Sequence, residues 1–170
     1  MLRLAELARG PLEADAIDYD GASRALYVRL CTGVHPHLDK RWPGEVEQLT
    51  PAKADELWES IREMSWAGRE RALVKVALTP QRLPEFQDRM DALGEGTVWY
   101  SSGGSVAWLA LRDEKRAEVE ATLVELGLAG LFVRGAEGEE GSPWLGRRDD
   151  SDIMSAVKLA LDPKERFPTF

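Results

Sequence analysis

A chain of 170 residues, 44% of them hydrophobic, is long enough for one domain with a full core and short for two. Its formal net charge of −8, with 22 basic residues scattered among 30 acidic ones, excludes the basic stripe on which a nucleic-acid partner depends. No run reaches the roughly 18 apolar residues of a membrane span, the opening MLRLAELARG has no apolar signal core, and one cysteine cannot make an internal disulfide. A single cytoplasmic domain over 1–170 is the expectation.

In chain order, ADAIDYD (14–20) and RALYVRLC (24–31) alternate around Gly21-Ala22-Ser23 and predict a strand pair. Arg29 interrupts the second run. It is either an edge arginine whose stem covers apolar surface or a cation offered to a carboxylate or phosphate. Cys31, at the end of that run, reads as a small buried hydrophobe. Pro36 and Pro43 make VHPHLDKRWPGE (34–45) a loop, in which His35, His37 and Asp39 alternate like metal ligands. No further ligand cluster follows, so no metal is expected. Thr50-Pro51 opens a helix with a hydroxyl cap and proline in its first turn, and Ala54, Leu57, Trp58 and Ile61 form its apolar stripe.

The central stretch, 71–134, predicts strand, helix, two strands, helix and strand. RALVKVAL (71–78) is a β-branched run closed by Thr79-Pro80, and LPEFQDRMDAL (83–93) places Leu83, Phe86, Met90 and Leu93 on one helical face. TVWYSSGGSVAWLALR (97–112) is a hairpin whose turn is Gly103-Gly104, two residues that reach positive φ without steric cost. Asp113 is the expected cap of a helix carrying Val119, Leu123 and Leu126, and GLFVRG (130–135) is the last strand. This order predicts an α+β fold: a ferredoxin-like βαββαβ sandwich with an added N-terminal strand pair and helix and a C-terminal helix.

Counting outward from the glycines sets Trp99 opposite Trp108 on one face, with Val98, Tyr100, Leu109 and Leu111 on the other. The aliphatic set suits the helices. The tryptophans lie on the face such a sandwich leaves open, so N-terminal elements of the same domain, or else a partner or ligand, must cover them. After the acidic AEGEEGSP (136–143), DDSDIMSAVKLALD (149–162) predicts a final helix with Ile153, Val157 and Leu161 inward, ended by Asp162-Pro163. No nucleophile elbow, phosphate-binding loop or dinucleotide fingerprint occurs, and no catalytic residue is assigned.

Four short motifs carry a resemblance. VKLALDPKERFPTF (157–170) resembles the "lK..lDP.gvFNPG" closing helix of FAD-linked oxidases of the vanillyl-alcohol oxidase class. LYVRLCTG (26–33) is similar to the "L.VRL.G" strand of the same C-terminal (cap) domain, LWESIRE (57–63) to its "fW..lR" helix, and SGGSVAWL (102–109) to the "WGGA.RWL" hairpin of the FAD-binding GlcE subunits of glycolate oxidases. The first tryptophan and the arginine of that hairpin lack clear counterparts here. The tail keeps Asp162, Pro163 and Phe167 without the asparagine, glycine and arginine that usually follow.

The resemblance implies the cap portion of an FAD-dependent oxidoreductase acting on 2-hydroxy acids, with FAD supplying the redox chemistry. The family's N-terminal FAD-binding domain is not among these residues. Either the chain is a fragment or separately encoded piece, with the flavin expected on a separate flavin-binding chain or domain, or on other oxidase subunits, and not on this chain alone, or it is a relict that has lost flavin. Arg29, Trp99, Trp108, Asp162, Pro163 and Phe167 become the candidates for cofactor contact or domain docking. The reading independent of the resemblance is a free-standing ferredoxin-like module that binds or self-associates through its open face.

Overall fold

The structure, a computed structural model, describes residues 14–30, 45–94, 97–135, 143–147, 151–164 and 166. Cys31, His35, His37, Asp39, Phe167 and the 136–142 part of the acidic segment lie outside them. In chain order the elements are strands β1 (Ala14–Asp20) and β2 (Ala25–Leu30), helix α1 (Pro51–Arg62), β3 (Ala72–Ala77), α2 (Leu83–Ala92), β4 (Val98–Ser101), β5 (Val106–Leu111), α3 (Arg116–Glu125), β6 (Ala129–Arg134), β7 (Trp144–Gly146) and α4 (Ser151–Leu161). All seven strands form one antiparallel sheet in the order β2-β1-β4-β5-β3-β6-β7. The fold is α+β and compatible with the expected sandwich. The strands of the central unit stand as β4-β5-β3-β6, and the N-terminal pair extends the sheet through β1 beside β4.

The helix-facing side of the sheet is the main core. Val74 and Val76 of β3, Val98 and Tyr100 of β4, and Leu109 and Leu111 of β5 share one buried cluster with Leu83, Phe86 and Met90 of α2 and Val119 and Leu123 of α3. These are the residues that period-2 and period-3.6 patterning selects, because only one face of each element can leave water. Ile17 and Tyr19 of β1 join the same cluster.

The hairpin register is the expected one, with Trp99 paired to Trp108 and Tyr100 to Ala107. Pairing stops at Ser101 and Val106, and the tip is one tight turn in which Ser105 N–H donates to the Ser102 carbonyl at 3.3 Å. Gly103 and Gly104 take positive φ (64° and 87°), and so does Ser102 at 54°, a conformation that costs a non-glycine residue energy.

Several local expectations need correction. Thr50 is the N-cap of α1 with Pro51 in its first turn, yet its hydroxyl makes no cap hydrogen bond. The Ala54, Leu57, Trp58 and Ile61 stripe is only partly buried, and α1 buries no residue fully. Asp113 opens a single 3-10 turn (Asp113–Lys115), and α3 starts after it at Arg116. The short edge strand β7 was not foreseen, because three residues carry too little pattern. The largest difference is α4. Ile153, Val157 and Leu161 face outward, 67%, 50% and 81% exposed. Periodicity reports which residues share a face and cannot say what that face meets.

Candidate functional site

The sheet face opposite the helices is built around one cross-strand row: Asp20 of β1, Trp99 of β4, Trp108 of β5, Lys75 of β3, Leu131 of β6 and Trp144 of β7, each paired with the next. At one end the row is closed by the chain itself. Trp99 is 5% exposed, with Tyr27 of β2 stacked 5.3 Å from its ring and Trp66 stacked 5.9 Å away. Trp66 belongs to the 3-10 turn Ser65–Ala67 that follows α1, and beside it Ala67 and Met64 pack on Leu73 and Ala110. Of the two covers the sequence allowed, an N-terminal element of the same chain takes Trp99.

Trp99 is also pinned by a carboxylate. Its indole N–H donates to Asp18 Oδ2 at 2.9 Å, in a buried bond across β1 and β4. Burial pushes the Asp18 carboxyl above its ordinary range, against the opposing pull of the Trp99 indole and the Ser102 backbone N–H, both of which stabilise the charged form. Removing a charge from water is here the larger effect.

The other end of the row is open. Trp108 is half-buried, with its indole N–H donating to Ser101 Oγ at 3.0 Å, a bond that holds the ring against the sheet. Lys75 is exposed, and its Nζ lies 5.5 Å from the centre of the Trp108 ring, within cation–π range. Leu131 and Trp144, both half-buried, continue the surface beyond it.

The residues singled out from sequence therefore separate. Trp99 and Trp108 are brought together, but only Trp108 presents ring surface. Arg29 is exposed on the edge strand β2, opposite Ala16, as an edge-facing arginine, with three strands between its strand and Lys75. Asp162 is buried at the end of α4, where it accepts from Lys158 Nζ at 3.3 Å and from the Arg166 backbone N–H at 2.8 Å, so it closes its own helix. Pro163 is exposed beside it. Sequence reasoning missed Lys75, Asp18, Tyr27 and Trp66. Lys75, the one charge inside an apolar strand, and Asp18, alternating between Ile17 and Tyr19, were visible signals; Trp66, in a turn without periodicity, gave none.

A second polar cluster lies on the helix side. Arg24 pairs with Asp91, and Gln87 Nε2 donates to the other Asp91 oxygen at 2.7 Å. Gly21 is required there, since a Cβ on it would stand 2.3 Å from Gln87 Oε1 and 2.9 Å from the Val98 carbonyl. Nearby Tyr100 is fully buried, and its hydroxyl finds no partner among the described residues. Desolvation raises its pKa, with the Asp91 charge adding to the effect.

That burial makes a measurable difference. A tyrosine whose folded pKa is raised contributes stability that is complete below its ordinary value of 10.0 and is lost as pH rises above it, because only the unfolded chain can release the proton. Tyr100→Phe should hold or raise stability by about 1–3 kcal/mol at neutral pH and lessen the alkaline loss. Urea denaturation at pH 7 and pH 10.5 checks both, and a clear loss at pH 7 would show that the hydroxyl is bonded.

No family model matches the chain, and no curated protein or solved structure is significantly similar to it.

Neither the recess beside the hairpin tip nor the starts of α1 and α2 offers a flavin's pyrophosphate a cradle. A pyrophosphate needs cations or a nest of backbone amides at a helix start. The open recess of about 350 Å³ between the first half of β1 and the hairpin tip is lined instead by Asp15 and Asp18. Helices α1 and α2 both begin with proline in the first turn, which removes an amide from each start. Among the described residues, no group of three histidine, cysteine, aspartate or glutamate side chains could hold a metal, and no helix is long and apolar enough to cross a membrane.

Proposed function

We propose that this chain is the cap, or substrate, portion of a GlcE-like FAD-dependent 2-hydroxy-acid oxidoreductase of the cytoplasm, working with a separate flavin-binding chain or domain and inactive without it. The observation that carries the reading is the half-open face around Trp108. One side of the sheet carries the main core under α2 and α3, while the other keeps a large indole and a lysine at its surface. Such a surface suits a second body. The four motifs in family order supply the identity of that body, a flavin domain.

The test is reconstitution. The chain alone should purify colourless, and a flavoprotein held by it should be yellow, stoichiometric and bleached by a 2-hydroxy acid. Interface tryptophans are energetic anchors, so Trp108→Ala should weaken that association by about 2 kcal/mol, roughly thirtyfold in Kd, with little change in the melting temperature of the chain. A fall of several degrees with unaltered association would make Trp108 a core residue and remove the main support of the docking surface.

The second reading, a self-associating module without catalysis, is favoured by one feature, the outward stripe of Ile153, Val157 and Leu161 on α4. Sedimentation of the lone chain over a hundredfold concentration range separates the two readings.

A further inference from the structure

We infer that the unpaired edge of β1 beside the hairpin tip takes the free N-terminus of an extended peptide, which adds there as a short strand in line with β4 and sets its ammonium against Asp18. Strand β1 pairs with β2 from Ala14 to Asp20, but with β4 only at Tyr19 and Asp20. Its first half has a strand on one side only. Gly21 N–H donates to the Val98 carbonyl at 2.8 Å, and alternate residues of a strand turn their backbone groups to the same side, so Tyr19 and Ile17 face the β4 side as well. Continued in register, the ladder would next join Ile17 to Ser102. Ser102 instead turns to positive φ, gives its N–H to the Asp18 carboxylate and accepts Ser105 N–H on its carbonyl at 3.3 Å. The Ile17 N–H and carbonyl are left facing the recess between β1 and the hairpin tip, and no backbone group among the described residues pairs with them from that side.

A strand edge of this kind is completed by another extended segment, whose own backbone supplies the missing partners. Charge decides which end enters. A segment antiparallel to β1 runs in the direction of β4, so its first residue lies at the hairpin tip beside Asp18; a parallel one would bring a terminal carboxylate to the same place. Asp18 is 6% exposed and holds two donors, the Trp99 indole N–H and the Ser102 N–H, which leaves lone pairs of its carboxylate for an ammonium. Asp15, at the bulge where β1 slips against β2, adds a second negative charge to the same recess. Residues 14–17 offer roughly 13 Å of strand, the span of about three or four added residues. None of this rests on the oxidase reading.

The experiment titrates the intact chain at pH 7 with the tripeptide alanyl-valyl-alanine amide and follows the backbone amide resonance of Ile17. Expected is a saturable shift with a Kd of about 0.1–1 mM, as a few backbone bonds and one ion pair allow. Three controls leave the protein untouched. The N-acetylated peptide, which lacks the ammonium, and a peptide methylated on both internal amide nitrogens, which lacks the donors, should each bind at least tenfold more weakly. Propylamine, an ammonium without a peptide backbone, should leave Ile17 unshifted at the same concentration. Two variants address the chain itself. Asp18→Asn keeps an acceptor for the Trp99 indole and should weaken the free peptide at least tenfold while leaving the acetylated one unchanged. Ala16→Phe should fill the recess and abolish the shift without lowering the melting temperature. The inference is overturned if the acetylated peptide binds as well as the free one, if propylamine reproduces the shift, or if a folded Ala16→Phe variant still binds. An Ile17 shift that never saturates, or one that follows protein concentration without any peptide and so reports a second copy on this edge, would overturn it too.

Discussion

Trp99→Ala is expected to destabilise the chain by about 3–5 kcal/mol, because it empties a buried aromatic position and strips a buried carboxylate of its donor at once. The two parts can be separated. Trp99→Phe keeps most of the ring stacked between Tyr27 and Trp66 and loses only the N–H to Asp18. The Asp18 pKa is already raised above 3.8 by burial, so its contribution is complete at low pH and lost as pH rises through the carboxylate range. Without the indole donor that pKa rises further. Trp99→Phe should therefore lose more stability between pH 4 and pH 7 than the wild type does, and adding Asp18→Asn to the Trp99→Phe variant should remove the excess. Denaturant midpoints across that range decide it. Parallel curves for wild type and Trp99→Phe would mean that the bond contributes nothing.

On the other face, Leu109→Ala should cost about 2–5 kcal/mol, the range for deleting a fully buried leucine from a core that cannot collapse around the gap. Leu109 is 0% exposed and pairs with Val98 on one side and Val74 on the other, under α2 and α3. The exposed Glu120 of α3 is the matched control, and its replacement by alanine should stay within about 0.5 kcal/mol. Equal shifts in the denaturation midpoint would contradict the sheet register on which the division into a helix face and an open face depends. That division places Trp108 and Lys75 together, so the result bears on the function as well as the fold.

The local devices of this fold were legible in the residues. The Gly103-Gly104 pair sets the hairpin, and with the turn in place a side-chain period of two forces Trp99 against Trp108 and sends Leu109 to the core. The helical stripes of α2 and α3 follow from spacing alone, since Leu83, Phe86, Met90, Val119 and Leu123 can leave water together only as a helix face. What covers a face is a different kind of fact. The 3-10 turn that lays Trp66 on Trp99 joins residues 33 positions apart through no repeating pattern, and only the packed chain decides that one tryptophan is sealed while its neighbour stays half open. The same holds for Asp18, whose proton affinity is set by an indole on another strand, and for α4, whose apolar stripe has the period of a buried helix and yet faces outward. Periodicity is a property of one segment, whereas burial, desolvation and a free ring face depend on which other segments arrive there, and that is decided by tertiary structure.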